Sequence, residues 1–500
     1  MSLPTTLYTA QQVRELDRIA IQQFSIPGYT LMTRAGQSAF DCTLAHWPTV
    51  KRIAVFCGLG NNAGDGYVYA RLAQQAGLQV TVYQLGEAHR QQGDALLAKQ
   101  DMEQTEIFAQ AYDNQTLHGF DLIVDGLLGT GLDRDVSGHW AMAITAINES
   151  RKPVLALDIP SGLQADTGKI MAIAIRATVT ISFIGLKQGM FTAWGADYCG
   201  QIVFNDLSVP PEIYHEVPST CTRLATDTLA NPLVARQKNS HKGCFGHVLL
   251  LGGNQGMAGA IMMAAMAAAR VGAGRVSVMT HENHANFANA AQPEIMTHSF
   301  HCSQSLDVLL ERTNVIVLGP GLGQDQWANA LFNKAIHSDL PLIIDADALL
   351  LLAQRKEIKH SSWILTPHPG EAAALLACTT SQVQQHRFAA VRQLQARYGG
   401  VVVLKGAGSL ICDGQAIYVC DAGNPGMASG GMGDILSGML GGLLGQSLHQ
   451  PLTLIDVANF AVMLHATAGD RVAEKYGQRG MLATDLLPVV RSLVNSDGDQ

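Results

Sequence analysis

Charge is scarce in this chain of 500 residues: Asp, Glu, Lys and Arg together make up 15% of it. What charge there is leans acidic, with 33 Lys and Arg against 41 Asp and Glu and a formal net charge of −8. No basic block or stripe appears, which argues against a nucleic-acid partner. The nine cysteines are odd in number and contain no Cys-x-x-Cys pair. That argues against a disulfide framework or a structural zinc, and for a reducing, cytoplasmic compartment. The longest apolar run, Met257–Ala269, is too short to span a bilayer and ends at Arg270, so it reads as a buried helix and no membrane association is expected. Met1–Phe24 lacks a basic start followed by an apolar run, so no signal peptide is expected there. Thr9 and Gln12 instead form a capping box, and Val13, Leu16, Ala20 and Phe24 a helical stripe. No Gly-x-Gly-x-x-Gly fingerprint and no Gly-Lys-Ser/Thr loop occurs, which disfavours a nicotinamide dehydrogenase and a P-loop enzyme. There is no internal repeat and no low-complexity segment.

What is present is apolar material, 47% of the chain, and glycine, 50 residues. That is ample for large cores and too much for disorder. The glycines cluster in short loops, as tight turns and ligand-approaching backbone require. Short apolar runs without period-2 alternation recur between helical stretches, the mark of parallel strands covered on both faces. In the first half they are Ile53–Cys57, Val80–Leu85, Leu122–Val124, Val154–Leu157, Val179–Phe183 and Ile202–Phe204. A Pro-rich stretch, 208–239, interrupts the pattern and marks a domain boundary. The alternation restarts with Val248–Leu251, Val276–Met279, Val315–Leu318, Leu342–Ile344, Trp363–Leu365 and Val401–Leu404. A hairpin is expected at Asp413-Gly414, and helices at Ile435–Leu444, Asp456–Ala473 and Asp485–Leu493. The class is α/β throughout: a three-layer, Rossmann-like α/β/α domain followed by a second α/β domain.

In the first half, Gly58-Leu59-Gly60-Asn61-Asn62-Ala63-Gly64-Asp65-Gly66 joins a strand to a helix. Its spacing suits a phosphate site at a helix N-terminus or a tight turn, and its three oxygen-bearing side chains favour a ligand. Asp125 leads into Gly126–Gly131, and Asp158 into Ile159-Pro160-Ser161-Gly162, both at strand ends where open α/β sheets bind ligands. Either aspartate alone could be a helix cap or an Asx turn. Asn, Asp and Ser oxygens suit a hard cation.

These elements together resemble the NAD(P)H-hydrate epimerase domain, over about residues 1–215, except that the family most often carries glycine where this chain has Ala63. The resemblance implies that Asn62, Asp125 and Ser161 bind potassium. It further implies that Asn61, Asn62, Ala63, Gly64, Asp65, Gly129, Thr130, Gly131, Leu132, Asp133, Arg134, Asp135 and Asp158 contact the hydrated nucleotide. Asp158 is the expected acid/base group in the interconversion of the R and S hydrates.

In the second half, Gly423–Asp434 holds five glycines within twelve residues and ends in Gly431-Met432-Gly433-Asp434 at the start of an apolar helix. Free N–H groups and the helix dipole there would stabilise charge on a transferring phosphate, with Asp434 placed to accept a hydroxyl proton. Asp434 could also be an ordinary N-cap. Lys405-Gly406-Ala407-Gly408-Ser409, Gly319–Gly323, Asp345–Leu349 and Thr366–Glu371 follow other strands and bring a lysine, His368 and several carboxylates to one edge.

The Gly-x-Gly-Asp element resembles the ribokinase-like superfamily, and the whole set resembles its NAD(P)H-hydrate dehydratase over about residues 225–500. That resemblance implies ADP or ATP, with Mg²⁺, held by Lys405, Gly406, Ala407, Gly408, Ser409 and Gly433. It implies the hydrated substrate at Ala260, Gly323, His368 and Asp434, with Gly321 the alternative to Gly323. Catalysis would rest on Asp434. It also implies a homo-oligomer, a tetramer. The alternative is a ribokinase-like small-molecule kinase with a nucleotide-binding first domain.

Overall fold

The structure is a computed structural model and describes residues 3–225, 232–285, 292–300, 303–355, 358–447 and 452–495. The chain divides into two compact units, Met1–Arg223 and Leu224–Gln500.

The first unit is built on seven parallel strands. Their order across the sheet is Gln110–Ala111, Gln79–Gln84, Arg52–Cys57, Leu122–Gly126, Val154–Leu157, Val179–Phe183 and Gln201–Asn205. Every residue of Leu122–Gly126 and Val154–Leu157 is buried, as covered parallel strands demand. One face packs on helices Ala10–Gln22, Gly28–His46, Asn61–Gln75 and Gly93–Glu103, and the other on Gly138–Ser150. The chain reverses direction across the sheet between Arg52–Cys57 and Leu122–Gly126, so the crevice at their carboxyl ends is the natural ligand position. The capping box is present: Gln12 N donates to Thr9 Oγ1 at 3.2 Å, and Thr9 N to Gln12 Oε1 at 2.9 Å.

The second unit carries nine strands in the order Met296–Ser299, Arg275–Thr280, His247–Leu251, Val315–Leu318, Leu342–Ile344, Trp363–Leu365, Val401–Leu404, Ser409–Cys412 and Ile417–Cys420. The first seven run parallel, and the last two form an antiparallel hairpin. Asp413 Oδ1 closes its turn by accepting from Gln415 N and Ala416 N at 2.8 and 2.9 Å. The apolar run expected to be a buried helix is Ala258–Arg270. It packs against Met432–Gln446 along a seam of small residues. A Cβ at Gly438 would lie 1.9 Å from Ala264 O, and one at Gly442 2.5 Å from Ala268 O.

Short elements escaped the sequence. Thr6–Tyr8 pairs antiparallel with Cys221–Leu224 and parallel with Leu186–Lys187, and Gln110–Ala111 is a two-residue edge. Runs of two to four residues are too brief for periodicity to register. Asp125 lies inside its strand rather than after it. Among the described residues no helix is long and apolar enough to cross a membrane. No disulfide joins the eight described cysteines to one another, and six of them are buried.

The small-residue seam makes a direct prediction. Gly438→Val gains helix propensity but forces a side chain onto a neighbouring carbonyl. It should destabilise the second unit by about 1–3 kcal/mol or more, read as a lower thermal midpoint. An unchanged midpoint would show that the seam can open.

Candidate functional site

Strand Arg52–Cys57 ends at Gly58, and helix Asn61–Gln75 begins three residues later with Gly60 as its N-cap. Asn61, Asn62 and Asp65 therefore stand in helical backbone, where the sequence suggested a tight loop. Ala63 is helical and fully buried, and its φ is not positive. The substitution of glycine by alanine thus carries no backbone penalty, since alanine is the better helix former.

Three predicted metal ligands meet beside this turn. Asp125 is fully buried. Its Oδ2 accepts from Ser161 N at 2.8 Å, and its Oδ1 accepts from Ser161 Oγ at 2.6 Å and Leu127 N at 3.2 Å. Asn62 Nδ2 donates to Leu128 O at 3.1 Å, while Asn62 Oδ1 is buried with no hydrogen-bond partner among the described residues. Burial pushes the Asp125 carboxyl up to about 6, against the bonds from Ser161 and Leu127. An orphaned oxygen, a hydroxyl and a carboxylate short of positive charge form an all-oxygen set that fits a hard cation.

A cavity of about 530 Å³ opens over the same edge, lined by Asn61, Asn62, Asp65, Gly129, Thr130, Gly131, Leu132, Arg134 and Asp158. Ala63 and Gly64 face the core instead, where a Cβ on Gly64 would strike Met32 Sδ at 2.4 Å. Asp133 and Asp135 are exposed and do not line the cavity. Asp158 follows Val154–Leu157 with φ of +64°, a left-handed conformation that aspartate tolerates better than most residues. Its carboxylate is ion-paired to Lys187 and accepts from Phe183 N at 3.2 Å. Lys187 is fully buried and also donates to Ser182 Oγ at 3.0 Å. Asp65 is raised well above the usual carboxylate range by burial first, then by the carboxylates of Asp158 and Asp17.

In the second unit the carboxyl edge gathers around Lys405. Its Nζ donates to Asp345 Oδ1 at 2.7 Å and lies 3.8 Å from Glu371 Oε2. Ser437 Oγ donates to Asp345 Oδ2 at 2.5 Å. Burial alone would raise Asp345, but the Lys405 ammonium and the Ser437 and Thr366 hydroxyls outweigh it and hold the carboxyl below its ordinary value. Gly433 stands over this pair: a Cβ there would lie 3.3 Å from Lys405 Nζ. Gly431 is the N-cap of Met432–Gln446 with φ of +93°, so Asp434 is the third helical residue and not the cap. Burial and the Asp345 carboxylate push Asp434 up to about 6, with Lys405 opposing. Burial likewise raises Glu371 to about 7.

Gly406 and Ala407 form the exposed loop after Lys405, with Gly408 buried beneath and Ser409 opening the strand Ser409–Cys412. Arg387, itself buried, braces this loop by donating through Nη2 to Leu404 O at 3.2 Å and to Lys405 O and Gly408 O at 3.3 Å. His368 N-caps helix Pro369–Leu376: its Nδ1 accepts from Gly370 N at 2.9 Å, and Glu371 Oε2 accepts from His368 N at 2.7 Å. One ring nitrogen is thus committed to the helix start, and Nε2 lies 3.4 Å from Glu371 Oε1. Gly321 lies against the start of helix Ala258–Arg270, where its Cβ would be 3.2 Å from that of Ala260. Gly323 N donates to Asp347 Oδ2 at 2.8 Å. Both glycines have positive φ.

Sequence reasoning passed over Asp17, Lys187, Arg387 and Ser437. Lys187 and Arg387 carried no signal, because a lone cation is usually solvated. Asp17 did carry one: it stands four residues from Val13 and four from Ile21, on a row that is otherwise apolar.

Two family models match the chain. Residues 28–189 match "YjeF-related protein N-terminus" and residues 248–491 match "NAD(P)H-hydrate dehydratase". A Coxiella burnetii protein named "Bifunctional NAD(P)H-hydrate repair enzyme Nnr" is 46% identical over 98% of this chain and 100% of its own length. Proteins of the same name from Vibrio cholerae and Escherichia coli are 42% and 39% identical, each over 99% of this chain and over 99% and 95% of their own. A solved ribokinase-like superfamily protein from Enterococcus faecalis is 31% identical, covering 55% of this chain and 96% of its own, with a TM-score of 0.51.

The bracing of the Lys405 loop is testable without any ligand. Arg387→Leu leaves three carbonyls short of a donor, at about 1–3 kcal/mol for each group left unsatisfied. Amide exchange across 405–409 should accelerate at least tenfold; exchange at the wild-type rate would show that Arg387 does not hold the loop.

Proposed function

The chain belongs to the bifunctional NAD(P)H-hydrate repair enzymes, and from that premise we propose which residues do its two jobs. It epimerises the R and S forms of hydrated NAD(P)H in the first unit and dehydrates the hydrate back to NAD(P)H in the second. Full-length relatives and a match to both halves set aside the small-molecule kinase, which would leave the first unit without a task.

In the first unit, the hydrated nicotinamide ring would enter the cavity between Asn61–Asp65 and Gly129–Arg134, with Asp158 as its acid/base group. The observation that supports this most is the convergence of Asp158, Asp65 and the Gly129–Leu132 backbone on one cavity. Lys187 would fix the position of the Asp158 carboxyl group through their ion pair. Asn62, Asp125 and Ser161 would hold potassium. The bound ion would supply the positive charge that buried Asp125 lacks. The Asn62–Leu128 bond would then tie that site to the cavity wall.

In the second unit, Lys405, Gly406, Ala407, Gly408, Ser409 and Gly433 would bind the phosphates of ADP or ATP. The hydrate would lie against Ala260, His368 and Gly323 or Gly321. Asp434 would take the proton of the ring hydroxyl as its oxygen bonds to the donor's terminal phosphorus, and AMP (or ADP) would leave. The C6–O bond would then break, the ring-nitrogen lone pair would expel phosphate, and loss of a C5 proton would restore the dihydropyridine. Among the described residues no group of three or more His, Cys, Asp or Glu side chains is disposed to hold a metal. Magnesium would therefore arrive with the donor phosphates. A homo-oligomeric, cytoplasmic enzyme completes the proposal.

Mixed R and S hydrates of NADH with ADP and Mg²⁺ should be recovered completely as NADH, faster than spontaneous epimerisation allows. Asp158→Asn should stop recovery at the share of one epimer. Asp434→Asn should cut dehydration by about 10²–10⁴-fold while R/S interconversion continues. No recovery by the wild type with either donor would overturn the reading.

Because Asp434 acts as a base with its proton held to about 6, dehydratase kcat/KM should be full above that pH and fall as pH drops through it. A flat profile between pH 5 and 8 would remove Asp434 from that role. Potassium should raise the melting temperature of the wild type and not of Asn62→Leu; equal shifts would place the ion elsewhere.

A further inference from the structure

The epimerase cavity holds an ionisable group that the proposed reading leaves idle. Helix Ala10–Gln22 lies outside the span matched to the N-terminal family model, 28–189. It nevertheless walls the cavity with Val13, Asp17 and Ile21, three residues at four-residue spacing on one helical row. The helix is firmly seated: Val13, Leu16, Ile19 and Ala20 are buried, the capping box fixes its start, and Ala10 N donates to Asp166 Oδ1 at 2.6 Å. A carboxylate on so fixed an apolar row has a set position. Among the described residues its oxygens have no hydrogen-bond or ion-pair partner. Asp158 on the far side of the chain has both, Phe183 N and Lys187.

We propose that Asp17 is the second catalytic residue of the epimerase, the general acid that complements Asp158. The proposal rests on the epimerase reading of this cavity. Asp17 gives its proton to the C6 hydroxyl, the C6–O bond breaks, and the ring-nitrogen lone pair forms N1=C6 as water departs. Water then adds to the other face of C6, its oxygen bonding to carbon while the N1=C6 pair returns to nitrogen, and Asp158 takes the proton released. Transfer of that proton from Asp158 back to Asp17 restores both groups. No oxidant or co-reactant enters, and the product is the opposite epimer.

The surroundings suit these roles. Burial foremost, then the Asp158 carboxylate, lift Asp17 to about 7 against the pull of Lys187, so much of it carries a proton at neutral pH. Asp158 is ion-paired with the fully buried Lys187, and Asp17 has no such partner among the described residues; unlike surroundings for two carboxyl groups on one cavity suit an acid/base pair. The charged groups facing Asp17 are Arg14 on its own helix, Asp65, Asp94, Arg134 and Asp158 on the cavity wall, and Lys187 behind Asp158.

The test uses the full chain and the purified R hydrate, following appearance of the S hydrate. Asp17→Asn should lower epimerase kcat at least 100-fold with KM within about threefold, and leave dehydration of the S hydrate intact. Wild-type kcat should fall as pH rises through about 7, where Asp17 loses its proton. The alkaline limb should vanish in the residual rate of Asp17→Asn and persist in Asp65→Asn. Asp17→Glu should recover part of the rate and the limb. In H₂¹⁸O the product hydroxyl should take up label at the rate of epimerisation. Asp17→Asn turnover within twofold of wild type, an alkaline limb unchanged in Asp17→Asn, or epimerisation without label uptake would each overturn the proposal. If Asp17→Asn fails to fold, shown by loss of dehydratase activity, the Asp17→Glu profile and the label decide. A wild type that does not epimerise at all would instead refute the reading of the cavity.

Discussion

Parallel pairing returns every strand to the same edge of the sheet, so a parallel sheet offers its loops, and any chemistry they carry, at one end only. In both units this crowds carboxylates together under low solvent exposure, where like charges cannot all remain ionised. The chain answers with lysines. Lys187, fully buried, against Asp158 and Lys405, partly buried, against Asp345 are the same solution reached on two sheets: an ammonium held by a carboxylate at a strand end or the loop after it. Without these pairs neither edge could hold its acidic side chains close to a substrate, since an unpaired buried charge costs several kcal/mol.

The two edges differ in what is left unpaired. In the first unit the lysine is ion-paired to one carboxylate, and burial raises Asp17 and Asp65 against its pull. That is a site built for moving protons. In the second unit, Lys405 reaches both Asp345 and Glu371 and stands under Gly433 at a helix N-terminus, and burial lifts Glu371 and Asp434 toward neutrality beside it. Positive charge and backbone N–H groups dominate there, which is a site built for phosphate.

Much of this was legible in the sequence, because strand-end aspartates and glycine-rich turns are local signals. Asp158, Ser161 and Lys405 follow their strands by residue spacing alone, and Asp434 is marked by the glycines before its helix. At Ala63, where the resembling family most often carries glycine, a helix has begun two residues earlier, and the position needs no special backbone. Asp17 and Arg387 could not be assigned from their neighbours in sequence. Asp17 acquires meaning only because a sheet edge 140 residues later in the chain faces its helix. Arg387 looks like any solvated helical arginine until the Lys405 loop folds over it. Local pattern places an element; what that element faces is a property of the tertiary fold.

The buried cysteines have a consequence of a different kind. Burial lifts Cys42 to about 11 and Cys420 to about 12, and raises Cys57, Cys199 and Cys412 as well. Oxidants and electrophiles react with thiolate, and at neutral pH these sulfurs are almost wholly thiol. Among the described cysteines, only the half-buried Cys244 and Cys378 are accessible to such attack. Neither belongs to the groups at the two edges. A cell under oxidative stress can therefore lose much of its thiol chemistry while this chain keeps both of its sites in working order.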